Sequence, residues 1–195
     1  MNKNVNNDKT GSLENISYAQ ADMCRAYANG SVGILASGII WLTSAIVAYR
    51  FSATQSVWML LIGGIFIFPL SVLFGKIIGL TGAHRKENSL GNLAMEGTIF
   101  MLMCLPIAFA VSLQNIAWFF PAMLLIIGGR YLTFASIYGN KLYWVLGAVL
   151  GMAAYVLYTL KTPPFISALT GSMIELTFAL IMFISYKRKV NMLIV

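Results

Sequence analysis

Residues 117–137 read AWFFPAMLLIIGGRYLTFASI, an apolar stretch with a single charged residue, Arg130. A helix needs about 20 such residues to cross the hydrocarbon core of a bilayer. A charge at that depth costs several kcal/mol unless it is paired or hydrated, which makes Arg130 a candidate functional residue. This stretch therefore predicts a transmembrane helix that carries a cation.

The composition of the whole chain agrees with that prediction. The 195 residues are 59% hydrophobic and 10% charged, and the mean hydropathy is +0.80. Globular proteins carry about 25% charged residues, so this chain has too little polar surface to remain soluble. We therefore expect a polytopic membrane protein, with lipid as its main solvent.

Six stretches of the chain have the length and apolar composition of membrane spans. The links between them are short, except for residues 75–91, and short links place consecutive helices side by side and antiparallel. We predict an all-α fold with one bundle of six transmembrane helices in residues 17–189, a disordered polar tail at residues 1–16 and a C-terminal tail at residues 190–195. The predicted spans are residues 31–49, 57–74, 92–112, 117–137, 142–160 and 165–186.

The distribution of Lys and Arg predicts the orientation of this bundle. Ten basic residues outside the spans fall on the side of the two termini, and only Arg50 and Lys161 fall on the other side. By the positive-inside rule both termini are then cytoplasmic. The net charge of +7 is expected to face the anionic head groups of membrane lipids, and nucleic acid is not an expected partner.

Two acids accompany Arg130 inside predicted spans, Glu96 and Glu175. With a rise of about 1.5 Å per residue, Glu96, Arg130 and Glu175 lie about 6, 10 and 16 Å from the cytoplasmic ends of their helices. A guanidinium can pair with either carboxylate or bridge both, so the sequence predicts a Glu-Arg-Glu cluster if these helices meet. One of the two acids would then carry a proton, as a proton-coupled carrier requires.

A structural interpretation of the same charges stands beside the functional one. An arginine with two acidic partners can lock three helices together without any further role. Glu96 is also close enough to the interface to reach water without a partner.

Four neighbouring residues are secondary candidates for this site. Gly128 and Gly129 precede Arg130, and paired glycines can kink a helix and free its carbonyls to meet the guanidinium. Tyr131 follows Arg130, and Thr177 follows Glu175 at a spacing of two.

Two pairs of stretches in the first and second halves of the chain resemble each other. At an offset of 90, residues 38–45 match residues 128–135 at Gly, Leu, Thr and Ala, and Glu96-Gly-Thr98 resembles Glu175-Leu-Thr177 at an offset of 79. A three-plus-three duplication would be inverted in the membrane, as in many carriers. Membrane segments draw on few residue types, however, and the two offsets differ, so chance similarity stays open.

Enzymatic and metal-binding motifs are missing from the sequence. It has no His-Glu-x-x-His motif, no intramembrane Asp pair and no nucleophile with a base nearby. Cys24, Cys104 and the single histidine, His84, do not stand at ligand spacing. We therefore expect neither an enzyme nor a bound metal or cofactor.

The stretch PAMLLIIGGRYLTFASIYG at residues 121–139 resembles the central motif of an uncharacterised family of small bacterial multi-pass integral membrane proteins. Two further stretches fit this family: DMCRAY at residues 22–27, running on through Gly30 to residues 37–41, and Glu87-Asn88 with Leu90. The resemblance implies a location in the bacterial inner membrane. It brings neither an activity nor a site residue with it.

Two functions are consistent with the sequence. The first is a carrier or channel for a small solute or ion, with Arg130 as the binding or gating charge and Glu175 and Glu96 as coupling acids. The second is a non-catalytic membrane component that binds lipid or a protein partner and uses the charges as structural ion pairs. The sequence leaves a homo-oligomer open in either case.

Overall fold

The computed structural model describes the backbone of residues 3–192 and the side chains of residues 15–188. The described chain is built from seven α-helices, with 3-10 turns at Ala28–Gly30 and Ile116–Trp118. The helices are α1 (Lys3–Tyr27), α2 (Ser31–Arg50), α3 (Ala53–Ile77), α4 (Leu90–Gln114), α5 (Phe119–Tyr138), α6 (Leu142–Thr159) and α7 (Pro164–Met192).

Six helical runs are long and apolar enough to cross a membrane. They are Asn15–Arg50, which joins the end of α1 to α2, together with one run for each of α3 to α7. Each predicted span falls on one of them. An all-helical fold with six runs long and apolar enough to span a membrane is therefore confirmed, which indicates a multi-pass membrane protein. The orientation of the termini stays a prediction.

The two predicted tails overlap the first and last helices. Helix α1 begins at Lys3, inside the segment predicted to be a disordered tail at residues 1–16, and α7 runs to Met192. The side chains of residues 1–14 and 189–195 lie outside the described residues. Both tails therefore stay predictions.

The helices pack as two groups that meet at α7. In the first group, α2 packs along α3 and α7. In the second group, α5 packs along α4 and α6. Helix α7 also contacts α5 and α6 and so joins the two groups. The long link at residues 78–89 separates α3 from α4, which meet through the rings of Trp58 and Phe109 with centroids 5.7 Å apart. The only long link in the sequence thus lies between the consecutive helices that pack least on each other.

The neighbours of two matched glycines can be compared with those that the predicted inverted repeat requires. In an inverted repeat α2 corresponds to α5, α3 to α6, and α7 to α4. A Cβ at Gly38 would meet Leu176 on α7, whereas a Cβ at Gly128 would meet Gly147 on α6. The matched glycines thus face helices that do not correspond, and the repeat stays a prediction.

Glycines bring the backbones of α5 and α6 together. A Cβ at Gly147 would lie 2.8 Å from the carbonyl oxygen of Gly128 and 2.6 Å from Leu132 Cδ2, whereas a Cβ at Gly151 would meet only Leu125, at 4.0 Å. Small residues at such contacts are how membrane helices approach closely. Gly147 carries the α5–α6 contact, and Gly151 lies at its edge.

Helix α1 lies across one end of the bundle. Ala28, Asn29 and Gly30 have positive φ angles of 47°, 56° and 76°, and this turn separates α1 from α2. Gln20 Nε2 donates to the carbonyl of Ser136 at 2.7 Å, so α1 contacts the C-terminal end of α5. We call this end, formed by α1, residues 78–89 and residues 139–141, the basic face.

Candidate functional site

Glu175 lies on α7 at the junction of three helices and is fully buried. Its Oε1 accepts a hydrogen bond of 2.9 Å from the hydroxyl of Tyr131 on α5, and the side chain of Ser37 on α2 also interacts with it. Its other oxygen, Oε2, is buried without a hydrogen-bond partner. Glu175 thus joins α2, α5 and α7 while one carboxyl oxygen stays unsatisfied.

Close packing of α2 on α7 seals this site. One turn before Glu175, Ser172 Oγ donates to the carbonyl of Gly38 at 2.9 Å. A Cβ at Gly38 would lie 2.9 Å from the Leu176 side chain, and a Cβ at Gly171 would lie 2.8 Å from the ring of Trp41. The carboxyl group is therefore enclosed by protein rather than by lipid.

Arg130 precedes Tyr131 on α5 but faces another helix, α4. Its Nη2 donates to Thr98 Oγ1 at 2.9 Å, its Nη1 contacts the sulfur of Met101 at 3.8 Å, and its guanidinium carbon lies 5.0 Å from the centre of the Phe134 ring. Its Nε is buried without a hydrogen-bond partner. The cation is held by one hydroxyl group, a thioether and an aromatic face.

The predicted Glu-Arg-Glu cluster is wrong as an ion-paired unit. Within residues 15–188, Arg130 forms no ion pair with Glu96 or Glu175, and Glu96 is exposed without a described partner. The reason is rotation about the helix axis, since successive residues on a helix of 3.6 residues per turn point about 100° apart. Tyr131 therefore faces α7 and Arg130 faces α4, where Thr98 takes the place predicted for Glu96.

Of the four secondary candidates, only Tyr131 belongs to one of the two sites. Tyr131 joins Glu175, and Gly128 packs against Gly147. Gly129 and Thr177 are exposed and take part in neither site. Helix α5 is continuous through both glycines, and Arg130 bonds to side chains of α4 rather than to the glycine carbonyls.

Sequence reasoning missed four side chains at these sites, Ser37, Thr98, Met101 and Phe134. Hydroxyl groups at membrane depth are a usable signal, because they often bond across helices. Thr98 also stands in the stretch that resembles Glu175-Leu-Thr177. Met101 and Phe134 carry no such signal among the many apolar residues of their helices.

An aromatic cluster connects the Glu175 site with the basic face. The ring of Tyr143 lies 6.0 Å from that of Tyr131 and stacks on Tyr138 at 5.5 Å. Its hydroxyl donates to the carbonyl of Asn29 at 2.7 Å. This cluster holds the α1–α2 turn against α5 and α6.

Two of the stretches that carry the family resemblance meet on the basic face. Asp22 on α1 accepts hydrogen bonds from Asn88 Nδ2 at 2.9 Å and from the backbone N–H of Arg85 at 3.0 Å. These bonds, first that of Asn88, lower the pKa of Asp22 below its ordinary value. The hydroxyl of Tyr27 lies 2.9 Å from His84 Nδ1. The side chains of Asp22 and Tyr27 thus help to fasten helix α1 to the long link.

The comparisons with known proteins give a family but no activity. No curated protein and no solved structure shows significant similarity to this chain. Residues 16–185 match the model of a family of unknown function designated DUF7010, which agrees with the resemblance to an uncharacterised family. Because the match covers both polar sites and all six membrane-spanning runs almost completely, the chain belongs to the DUF7010 family.

Proposed function

We propose that this protein moves a small solute or ion across a bacterial inner membrane, with its termini in the cytoplasm. Arg130 is the binding charge and Glu175 the coupling acid, at two sites on different faces of α5. Glu96, exposed on α4, serves as an accessory acid at the cytoplasmic entrance.

The observation that carries this proposal is the fully buried carboxyl group of Glu175, of which one oxygen has no hydrogen-bond partner among the described residues. A buried carboxylate without a cation costs several kcal/mol at membrane depth, so the neutral acid is the form that this environment stabilises. Such an acid can release and regain a proton only when the bundle opens to water. A protonatable group of this kind is what a proton-coupled carrier needs.

A non-catalytic membrane component is the second candidate function, and one observation favours it. Glu175 is 0% exposed, and its bond with Tyr131 fastens α5 to α7. A bundle closed around its polar groups is what a structural role for those groups predicts. Partner or lipid binding would then use the outer surface of the bundle.

Flux through purified protein in liposomes separates these two functions. Vesicles with a pH-sensitive dye inside are exposed to inward gradients of small inorganic ions, carboxylates, phosphate, amines and neutral solutes. We expect one solute class to change the internal pH with the wild-type protein and with Thr177→Val, but not with Glu175→Gln. Thr177→Val is the matched control because Thr177 is exposed on the same helix.

Two outcomes would refute transport coupled through Glu175. One is an internal pH that follows the protein-free vesicles for every solute class. The other is equal flux through the wild-type protein and Glu175→Gln. If Glu175→Gln lowers the folded yield while the wild-type protein shows no flux, the structural function is supported instead.

A further inference from the structure

The guanidinium of Arg130 has more donors than the protein satisfies. An arginine offers five N–H groups, and here only Thr98 Oγ1, at 2.9 Å, is a strong acceptor. The Met101 sulfur at 3.8 Å is a weak acceptor, and Nε is buried without any partner. A buried donor left without an acceptor costs about 1–3 kcal/mol, and more when it is charged.

In the described part of the chain no acid forms an ion pair with Arg130, and its charge acts on the buried Glu175 only through space. Within residues 15–188 no acid pairs with it: Glu96 is exposed on α4, and Glu175 is bonded to Tyr131 on another face of α5. The contact between α4 and α5 therefore holds a cation without a described ion-pair partner at membrane depth. An anion bound between these helices would pair with the charge and satisfy the free donors.

The guanidinium is also held in position by contacts within the protein. Thr98 Oγ1 donates its own hydrogen to the carbonyl of Ala94 at 2.9 Å, which leaves its lone pairs for Arg130. The Phe134 ring supports the guanidinium at 5.0 Å. A charge that is already oriented loses little conformational entropy when a ligand binds.

From this geometry we propose that the α4–α5 groove, defined by Thr98, Met101, Arg130 and Phe134, binds a small oxyanion, a free carboxylate or phosphate compound. The planar fork of an arginine matches carboxylate and phosphate oxygens in pairs, which a halide or a neutral solute does not exploit. The inference deepens the proposed transport function, on which it rests, by naming the substrate as an oxyanion.

A free anion fits this groove better than the head group of a lipid. Arg130 and Thr98 each lie eight residues from the ends of α5 and α4 at the basic face, which is about 12 Å along each helix. The contact with Met101 lies almost one turn deeper. The guanidinium thus points into the membrane, away from the head groups that a long cationic side chain would otherwise reach.

The basic face offers an entrance for such an anion. Lys76, Arg85 and Lys86 lie in or beside the long link between α3 and α4, the two helices that pack least on each other. Clustered positive charge raises the local concentration of anions and their rate of association. An anion attracted there is about two helical turns from Arg130.

Binding is the measurement that tests this site independently of flux. The full chain is placed in nanodiscs of zwitterionic phosphatidylcholine, and its thermal unfolding is followed with sodium phosphate, sodium acetate or sodium chloride at equal ionic strength. We expect phosphate or acetate, but not chloride, to raise the unfolding temperature of the wild-type protein. A second set of nanodiscs with anionic phosphatidylglycerol and no added oxyanion tests a lipid phosphate as the source.

Three variants show whether Arg130 is responsible. We expect Arg130→Gln to abolish the stabilisation and Thr98→Val to weaken apparent affinity about tenfold, as loss of one oriented hydrogen bond would. Arg50→Gln should bind as the wild-type protein does, because Arg50 is exposed at the other end of the bundle. Thr98→Val keeps the test decisive if Arg130→Gln does not fold.

The proposal is overturned if neither soluble oxyanion stabilises the protein more than chloride, or if Arg130→Gln or Thr98→Val responds as the wild-type protein does. Stabilisation by phosphatidylglycerol alone would also overturn a free anion as the ligand, and would assign the groove to lipid phosphate. Oxyanion binding without flux in liposomes would support the site and refute the transport function. Flux of a solute without oxyanion binding would support the transport function and refute the oxyanion site.

Discussion

Replacing Gly147 by alanine tests the packing that holds α5 against α6. The added Cβ would lie 2.8 Å from the Gly128 carbonyl oxygen and 2.6 Å from Leu132 Cδ2. The leucine can rotate, but the backbone oxygen moves only if the two helices separate. Overpacking of this kind costs about 1–3 kcal/mol.

The same helix provides a matched control. A Cβ at Gly151 would have no neighbour closer than Leu125 at 4.0 Å, so Gly151→Ala gains helix propensity of up to about 1 kcal/mol without a clash. Since Gly147→Ala gains the same propensity, an overpacking cost of about 2 kcal/mol leaves a net loss of about 1 kcal/mol for it. The two variants should then differ by about 2 kcal/mol, or roughly thirtyfold in the ratio of folded to unfolded protein.

Unfolding of the purified protein by sodium dodecyl sulfate in mixed micelles measures this difference. We expect the midpoint for Gly147→Ala to fall below that of the wild-type protein and the midpoint for Gly151→Ala to equal or exceed it. Equal midpoints for the two variants would show that α5 and α6 do not approach at Gly147, and would refute the packing described for them.

Two further predictions concern the fastening of the basic face. Tyr143→Phe removes the 2.7 Å bond to the Asn29 carbonyl and should lower the free energy of unfolding in the same micelle assay by about 1 kcal/mol, since a buried acceptor loses its partner; no loss would contradict that bond. Asp22→Ala should loosen α1, measured as increased mobility of a spin label at position 18. Because the pKa of Asp22 is lowered in the folded state, its contribution is complete above its ordinary pKa of 3.8 and is lost as the pH falls through the lower folded value. The label in the parent protein should therefore become mobile only at such acid pH, whereas a parent label that is already mobile at neutral pH would refute the docking of α1.

The six spans could be predicted from the sequence because the bilayer imposes a simple rule of length and apolarity on each helix. The stretch at residues 117–137 that contains Arg130 falls on α5 and the short turn before it, as predicted. Depth along a helix also follows from counting residues. Glu175 is therefore found well inside α7, where the sequence placed it.

The partners of the charges could not be predicted in the same way. Which way a side chain points depends on how its helix is rotated against its neighbours, and short links between helices leave that rotation open. Arg130 and Tyr131 are adjacent in sequence but face α4 and α7. The sequence therefore placed the two charges Arg130 and Glu175 within helices, but it paired them with each other rather than with Thr98 and Tyr131.

The separation of Arg130 from Glu175 is the central claim, and a double-mutant cycle tests it most directly. The free energies of unfolding of Arg130→Gln, Glu175→Gln and the double variant are compared by the micelle assay, with a Tyr131→Phe and Glu175→Gln cycle as the reference for a direct bond. Because Arg130 and Glu175 share no bond and interact only through space, we expect their coupling to be smaller than that of Tyr131 and Glu175, which should couple by about 0.6–1.7 kcal/mol. A coupling between Arg130 and Glu175 as large as that of the reference pair would contradict two separate sites.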